Sequence, residues 1–173
     1  IYNNIQSSIL FLLSGNTAGI LTVLYTSIMN LPLPFAPVHL LFINLVTDSL
    51  PAIAIGAENH MPDVMKEKVR KISEPFLNKQ IGMEVLIKGL IISAATLGAY
   101  WYGLKYGGAG VAQTMAFATF CLGKLFHGFD SRSQMPLIKQ GIFTNMWLWV
   151  AVLVGMALLH IVLYVPIFHQ LFE

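Results

Sequence analysis

The chain has 173 residues, of which 56% are hydrophobic and 10% charged, with a mean hydropathy of +0.70 and a formal net charge of +2. A soluble domain carries about 25% charged residues, so an ordinary water-soluble enzyme is excluded and an integral membrane protein is expected. The single cysteine, Cys121, excludes an internal disulfide and a metal–thiolate site. Five apolar runs, at about 6–29, 37–57, 81–104, 109–129 and 145–166, are each long enough to cross a bilayer, which takes about 20 helical residues. The expected fold is an all-α polytopic bundle.

The first run contains "SGNT", Ser14 to Thr17. Asn16 can hydrogen-bond to a neighbouring helix or ligate a cation. Gly15 and Gly19 form a small-xxx-small pair that permits close packing. "NLPLPFAP" (30–37) breaks the chain with three prolines and no charge before the second run. The connection 58–80 carries Lys66, Lys68, Arg70, Lys71 and Lys79, and 130–144 carries Arg132 and Lys139. The positive-inside rule puts both loops and the N-terminus in the cytoplasm and the C-terminus outside.

In the third run, Glu84 and Lys88 read as a helix-end ion pair. Tyr100, Trp101 and Tyr102 read as an outer aromatic belt, and "KYGGAG" (105–110) as a turn into the fourth run. Lys124 in that run either snorkels to the cytoplasmic surface or points inward as a fixed charge. His127 and Asp130 follow it toward the cytoplasmic end. In the fifth run, His160 reads as a packed core histidine and Tyr164 as another interfacial aromatic. The chain starts at Ile1 rather than Met and stops just after a run, so a piece of a longer protein is expected.

The second run, "INLVTDSLPAIAIG" (43–56), holds the densest polar cluster. Asn44 and Asp48 are four apart and share a helix face, with Thr47 beside them. Pro51 cannot donate to the Thr47 carbonyl and its ring presses on it, so the helix is expected to unwind or kink near Asp48. Side-chain oxygens and a freed carbonyl at mid-membrane depth suit a hard cation. The plainer alternative is a proline kink with Asp48 protonated or paired to Lys124. An intramembrane carboxylate costs about 2.5–3.5 kcal/mol on insertion scales, which favours the ion site. The sequence has no phosphate-binding glycine loop, no His/Cys metal spacing, no serine–histidine–carboxylate set and no nucleic-acid patch.

"PVHLLFINLVTDSLPAIAIGAE" followed by "PDVMKEKVR" resembles the sixth transmembrane helix and following cytosolic loop of P-type cation-transporting ATPases, above all sarcoplasmic-reticulum-type and bacterial calcium pumps. "NNIQSSILFLLSGN", "TMAFATFCLGKLFHGFDSRS" and "NMWLWVAVLVGMALLHIVLYVP" are similar to that family's fifth, eighth and ninth helices. The resemblance implies helices five to nine of ten in a bacterial-type cell membrane. It further implies ATP-driven Ca2+ export, with Mg2+ and ATP handled by a phosphorylation domain outside this chain. The bilayer and the remaining transmembrane helices are the other implied partners.

Carried over by position, Asn44 and Asp48 match the ligands of the second calcium site, Asp48 bridging both sites, and Thr47 and Asn16 match ligands of the first. Gly19 and Lys124 stand where two-site pumps carry glutamates, which implies one ion per cycle. The loop with Asp63, Lys66, Lys68 and Arg70 would touch the phosphorylation domain, or serve only as a topology signal. Mn2+ accepts similar ligands, and a passive channel or scaffold is the alternative outside the pump class.

Overall fold

The computed structural model describes residues 2–57, 79–132 and 145–165. These are helical with no strand among them, and four helices are long and apolar enough to cross a membrane. The chain is an integral, multi-pass membrane protein. Helix α1 spans Tyr2–Ile28. Helix α2 (Pro37–Phe42) runs through a π-helical segment (Ile43–Asp48) into α3 (Ser49–Gly56). Helix α4 spans Lys79–Ser131 and α5 spans Met146–Tyr164.

Mid-helix hydroxyls in α1 are satisfied by the helix itself, whereas Ser7 and Ser8 donate to the Arg132 and Ala52 carbonyls. Ser14 donates to the Leu10 carbonyl at 2.7 Å and Thr22 to Ala18 at 2.8 Å, the i−4 bond that lets Ser and Thr enter an apolar helix. The helix ends at Asn30, which takes a left-handed φ of 51° while the Leu31 amide returns to the Thr26 carbonyl at 2.9 Å, a glycine-like role asparagine can fill.

A straight α4 of 53 residues would be about 80 Å long, against a hydrocarbon core of about 30 Å. It is interrupted at Gly108 (φ 82°, ψ −171°), a conformation favouring glycine. A Cβ on Gly103 would stand 2.7 Å from the Ala112 Cα, so the backbones before and after the break touch. At the far end Lys88 bonds Asp130 at 2.9 Å. The two arms, 79–107 and 109–131, therefore lie antiparallel, as the "KYGGAG" turn predicts.

The proline-rich segment between α1 and α2 is tied to both arms. Tyr100 donates its hydroxyl to the Pro32 carbonyl at 2.6 Å, and the Gln113 amide donates to Leu33 at 2.8 Å. Tyr100 is thus a buried tether, whereas Trp101 and Tyr102 are exposed as a belt requires. Asn145 caps α5 by accepting from the Leu148 amide at 3.0 Å, and its own amide donates to the Ala54 carbonyl at 3.1 Å. His160 corrects the sequence reading. It is exposed, its ring nitrogen bonds the Met156 carbonyl at 2.8 Å, and it lies over Tyr164 rather than in the core. Local hydrogen bonding to its own helix is enough to place a histidine on the outer face.

Helix α1 packs along α4 with α3 on its flank, and α5 closes over α3 and α4. The core divides in two. One cluster gathers Phe35, Phe42, Tyr100, Phe117, Phe120 and Leu159. The other gathers Phe11, Ile55, Leu125, Phe129, Leu148 and Val152. Along the chain the clusters meet between 46 and 54 and between 121 and 125, which is where Asp48 and Lys124 stand.

Candidate functional site

Asp48 closes the π-helical segment with φ −96° and ψ −52°. The helix is therefore widened there and resumes through Pro51, where the sequence reading expects unwinding or a kink. Two carbonyls still lose their backbone donors. A return from i→i+5 to i→i+4 bonding skips one carbonyl, and Pro51 has no N–H for the Thr47 carbonyl. The Asn44 carbonyl, where the π turns end, accepts from the Ser49 hydroxyl at 3.0 Å.

The Lys124 ammonium pairs with Asp48 through its Oδ1 atom. Both are buried, Lys124 completely and Asp48 to 5% exposure. Of the two directions open to Lys124 from sequence, the structure has the inward one. The ammonium also stands 5.4 Å from the Phe120 ring centre, and Phe120 packs on Phe35 at 5.0 Å. Those aromatic rings cover one side of the pair. On another side is Gly15, where a Cβ would overlap Lys124 Cε and stand 2.9 Å from Nζ. The glycine pair in α1 thus accommodates side chains from α4, Gly15 taking Lys124 and Gly19 taking Phe120.

The other candidate ligands are not gathered round Asp48. Thr47 is buried and donates its hydroxyl to the Ile43 carbonyl at 2.8 Å, leaving its lone pairs free to accept. Asn16 and Asn44 are exposed, and neither hydrogen-bonds Asp48. Each lies on a mostly apolar open face, with Ile20 and Leu24 on α1 and Leu41, Leu45 and Ile53 on α2 to α3. Among the described residues no three His, Cys, Asp or Glu side chains converge. The site is one carboxylate, one amine, amides, a hydroxyl and carbonyls.

Toward the end where 131 and 145 lie, Lys88 takes both Glu84 at 2.7 Å and Asp130 at 2.9 Å. The expected helix-end pair is present and extended to the second arm. His127 bonds the Ser131 hydroxyl at 3.1 Å and stacks on Phe11. The loop residues Asp63, Lys66, Lys68 and Arg70 lie outside the described residues. Sequence reasoning missed the place that Gly15 makes for Lys124 and the two hydrogen bonds of the Asn145 side chain. An asparagine just before an apolar run was the available signal for the cap. Nothing local signals the first.

Comparison with known proteins gives concordant results. The chain is 38% identical over 175 residues to a calcium-transporting ATPase of Bacillus subtilis, covering all of this chain and 20% of that protein. It is 37% identical over 160 residues to calcium-transporting ATPase 1 of Lactococcus lactis, covering 91% of this chain and 18% of the relative. With the mouse calcium-transporting ATPase type 2C member 2 it shares 28% identity over 176 residues, covering all of this chain and 19% of the relative. The chain thus spans about a fifth of the length of the curated relatives it matches. A family model described as "Cation transporting ATPase, C-terminus" matches residues 32–173, and the chain belongs to that family.

Proposed function

We propose that this chain is the membrane part of an ATP-driven P-type pump that exports Ca2+ from the cytosol, and that it supplies part of a single ion site. The observation that carries the reading is the buried Lys124 ammonium on Asp48. A tethered cation there fills the place of a second divalent ion and fixes the stoichiometry at one ion per cycle. Asp48 still has its Oδ2 atom to offer. Thr47 with its hydroxyl and the carbonyl that Pro51 leaves without a donor, and Asn44 and Asn16 on the open faces, complete this chain's share of ligands.

The two arms of α4 count as two of five spans, with 58–80, 130–144 and the N-terminus cytoplasmic. The open faces of α1 and of α2 to α3 then meet further helices of a longer protein, which also brings the phosphorylation domain with its Mg2+ and ATP. No Asp-Lys-Thr-Gly sequence occurs in this chain, so ATP hydrolysis is assigned elsewhere.

The test is the number of Ca2+ ions bound per phosphorylatable site in the full-length protein at saturation. One is expected, and a value near two would overturn the reading. In the same preparation Asp48→Asn should abolish Ca2+-dependent phosphorylation by ATP while phosphorylation by inorganic phosphate persists. Unchanged Ca2+ affinity in that variant would remove Asp48 from the site.

A further inference from the structure

Near the Gly108 break, on the side of the bundle that holds the 29–36 segment, the last turns of the first α4 arm line a groove of about 540 Å³. Its walls are Gly98, Trp101, Tyr102, Leu104, Lys105 and Tyr106. Gly98 leaves it open, with no atom within 4 Å of where its Cβ would be. Trp101, Tyr102 and Tyr106 are 46%, 60% and 68% exposed. The two tyrosine rings lie 4.7 Å apart, and the Lys105 ammonium sits 5.3 Å from the Tyr106 ring centre.

Lys105 is the one Lys or Arg in the two connections at this end, 29–36 and 105–110. The acids among the described residues are Asp48, Glu84 and Asp130. The first is paired with Lys124 and the other two with Lys88 at the opposite end. No described carboxylate therefore neutralises Lys105.

We propose that this groove binds the headgroup of an anionic phospholipid. The phosphate sits on Lys105 with the Tyr102 and Tyr106 hydroxyls as further donors, and an acyl chain runs down Leu104, Trp101 and Gly98. Charge complementarity selects the occupant. The Tyr106 ring already carries a cation, so a quaternary ammonium headgroup placed there meets a like charge. A phosphate with no compensating amine meets a lysine that no described carboxylate pairs, among interfacial aromatics, which prefer headgroup depth. The proposal rests on the membrane character of the chain and is independent of which ion is transported.

The experiment is native mass spectrometry of the full-length protein released from mixed micelles of phosphatidylglycerol and phosphatidylcholine in equal amounts. The wild type is expected to retain phosphatidylglycerol preferentially. Lys105→Gln should reduce that preference about fivefold, the effect of one basic side chain at a charged lipid surface. Lys105→Arg should keep it, and Lys79→Gln, at the other end of the same arm, should leave it unchanged. Equal retention of the two lipids by the wild type, or an undiminished preference in Lys105→Gln, would overturn the proposal. A shift in oligomeric mass in Lys105→Gln with no change in bound lipid would also overturn it, by assigning the groove to a protein partner.

Discussion

Lys124 reaches Asp48 only because residue 15 has no side chain. Its stem passes where the Gly15 Cβ would be, and its charge ends on the one described acid of the second span. Removing either charge alone leaves the other buried without a counter-ion, a strongly destabilising change. Filling the glycine instead leaves both charges intact and displaces one of them. Gly15→Val is expected to lower stability by about 1–3 kcal/mol through overpacking. Its effect should be non-additive with that of Lys124→Met, which keeps a long flexible side chain but no charge. Thermal unfolding of the two single variants and the double variant measures this. Strictly additive shifts would show that the Gly15 contact is incidental. The sequence alone offers a GxxxG pair and a lysine about a hundred residues later, with nothing in either that joins them.

At the scale of the element, the consequential feature is a helix that widens without breaking. The polar cluster and Pro51 mark in the sequence where the backbone departs from α geometry, because a missing N–H is a property of the residue. They do not mark how it departs. The choice between unwinding and π turns depends on the packing of Val46, Thr47 and Asp48 against neighbouring helices, all three being buried. Pro51→Ala restores a donor for the Thr47 carbonyl. Ion affinity should then fall although no ligand side chain has changed, and equilibrium Ca2+ binding to the full-length protein is the measurement. Normal affinity would mean that the carbonyls contribute nothing. The α4 hairpin was more legible. Its break follows from glycines at 107, 108 and 110, and positive φ is a local matter of sequence. His160 was misread because hydropathy treats every histidine in an apolar run alike, and its bond to Met156 lies within a single helix turn.

For the whole molecule, the all-helical, multi-pass character was readable because the bilayer demands long apolar helices. Asn16 and Asn44 face outward from the described bundle, so their expected grouping with Asp48 is not formed within it. Coupling between ion site and ATP use belongs to this scale. Neutralising Lys66, Lys68 and Arg70 together is expected to slow phosphorylation of the full-length protein without changing equilibrium Ca2+ binding. An unchanged rate would leave those charges with a topological role alone. The clasp on the 29–36 segment also orders events in time. The carbonyls of Pro32 and Leu33 are held by side chains 68 and 80 residues further along the chain. At roughly 5–20 residues per second of synthesis, they wait about 3–16 seconds for those donors. Until Tyr100 and Gln113 emerge these carbonyls need water, which holds this segment at the membrane surface while α1 and α3 are joined only at their other end, through Ser8 on the Ala52 carbonyl and Asn4 on the Gly56 carbonyl.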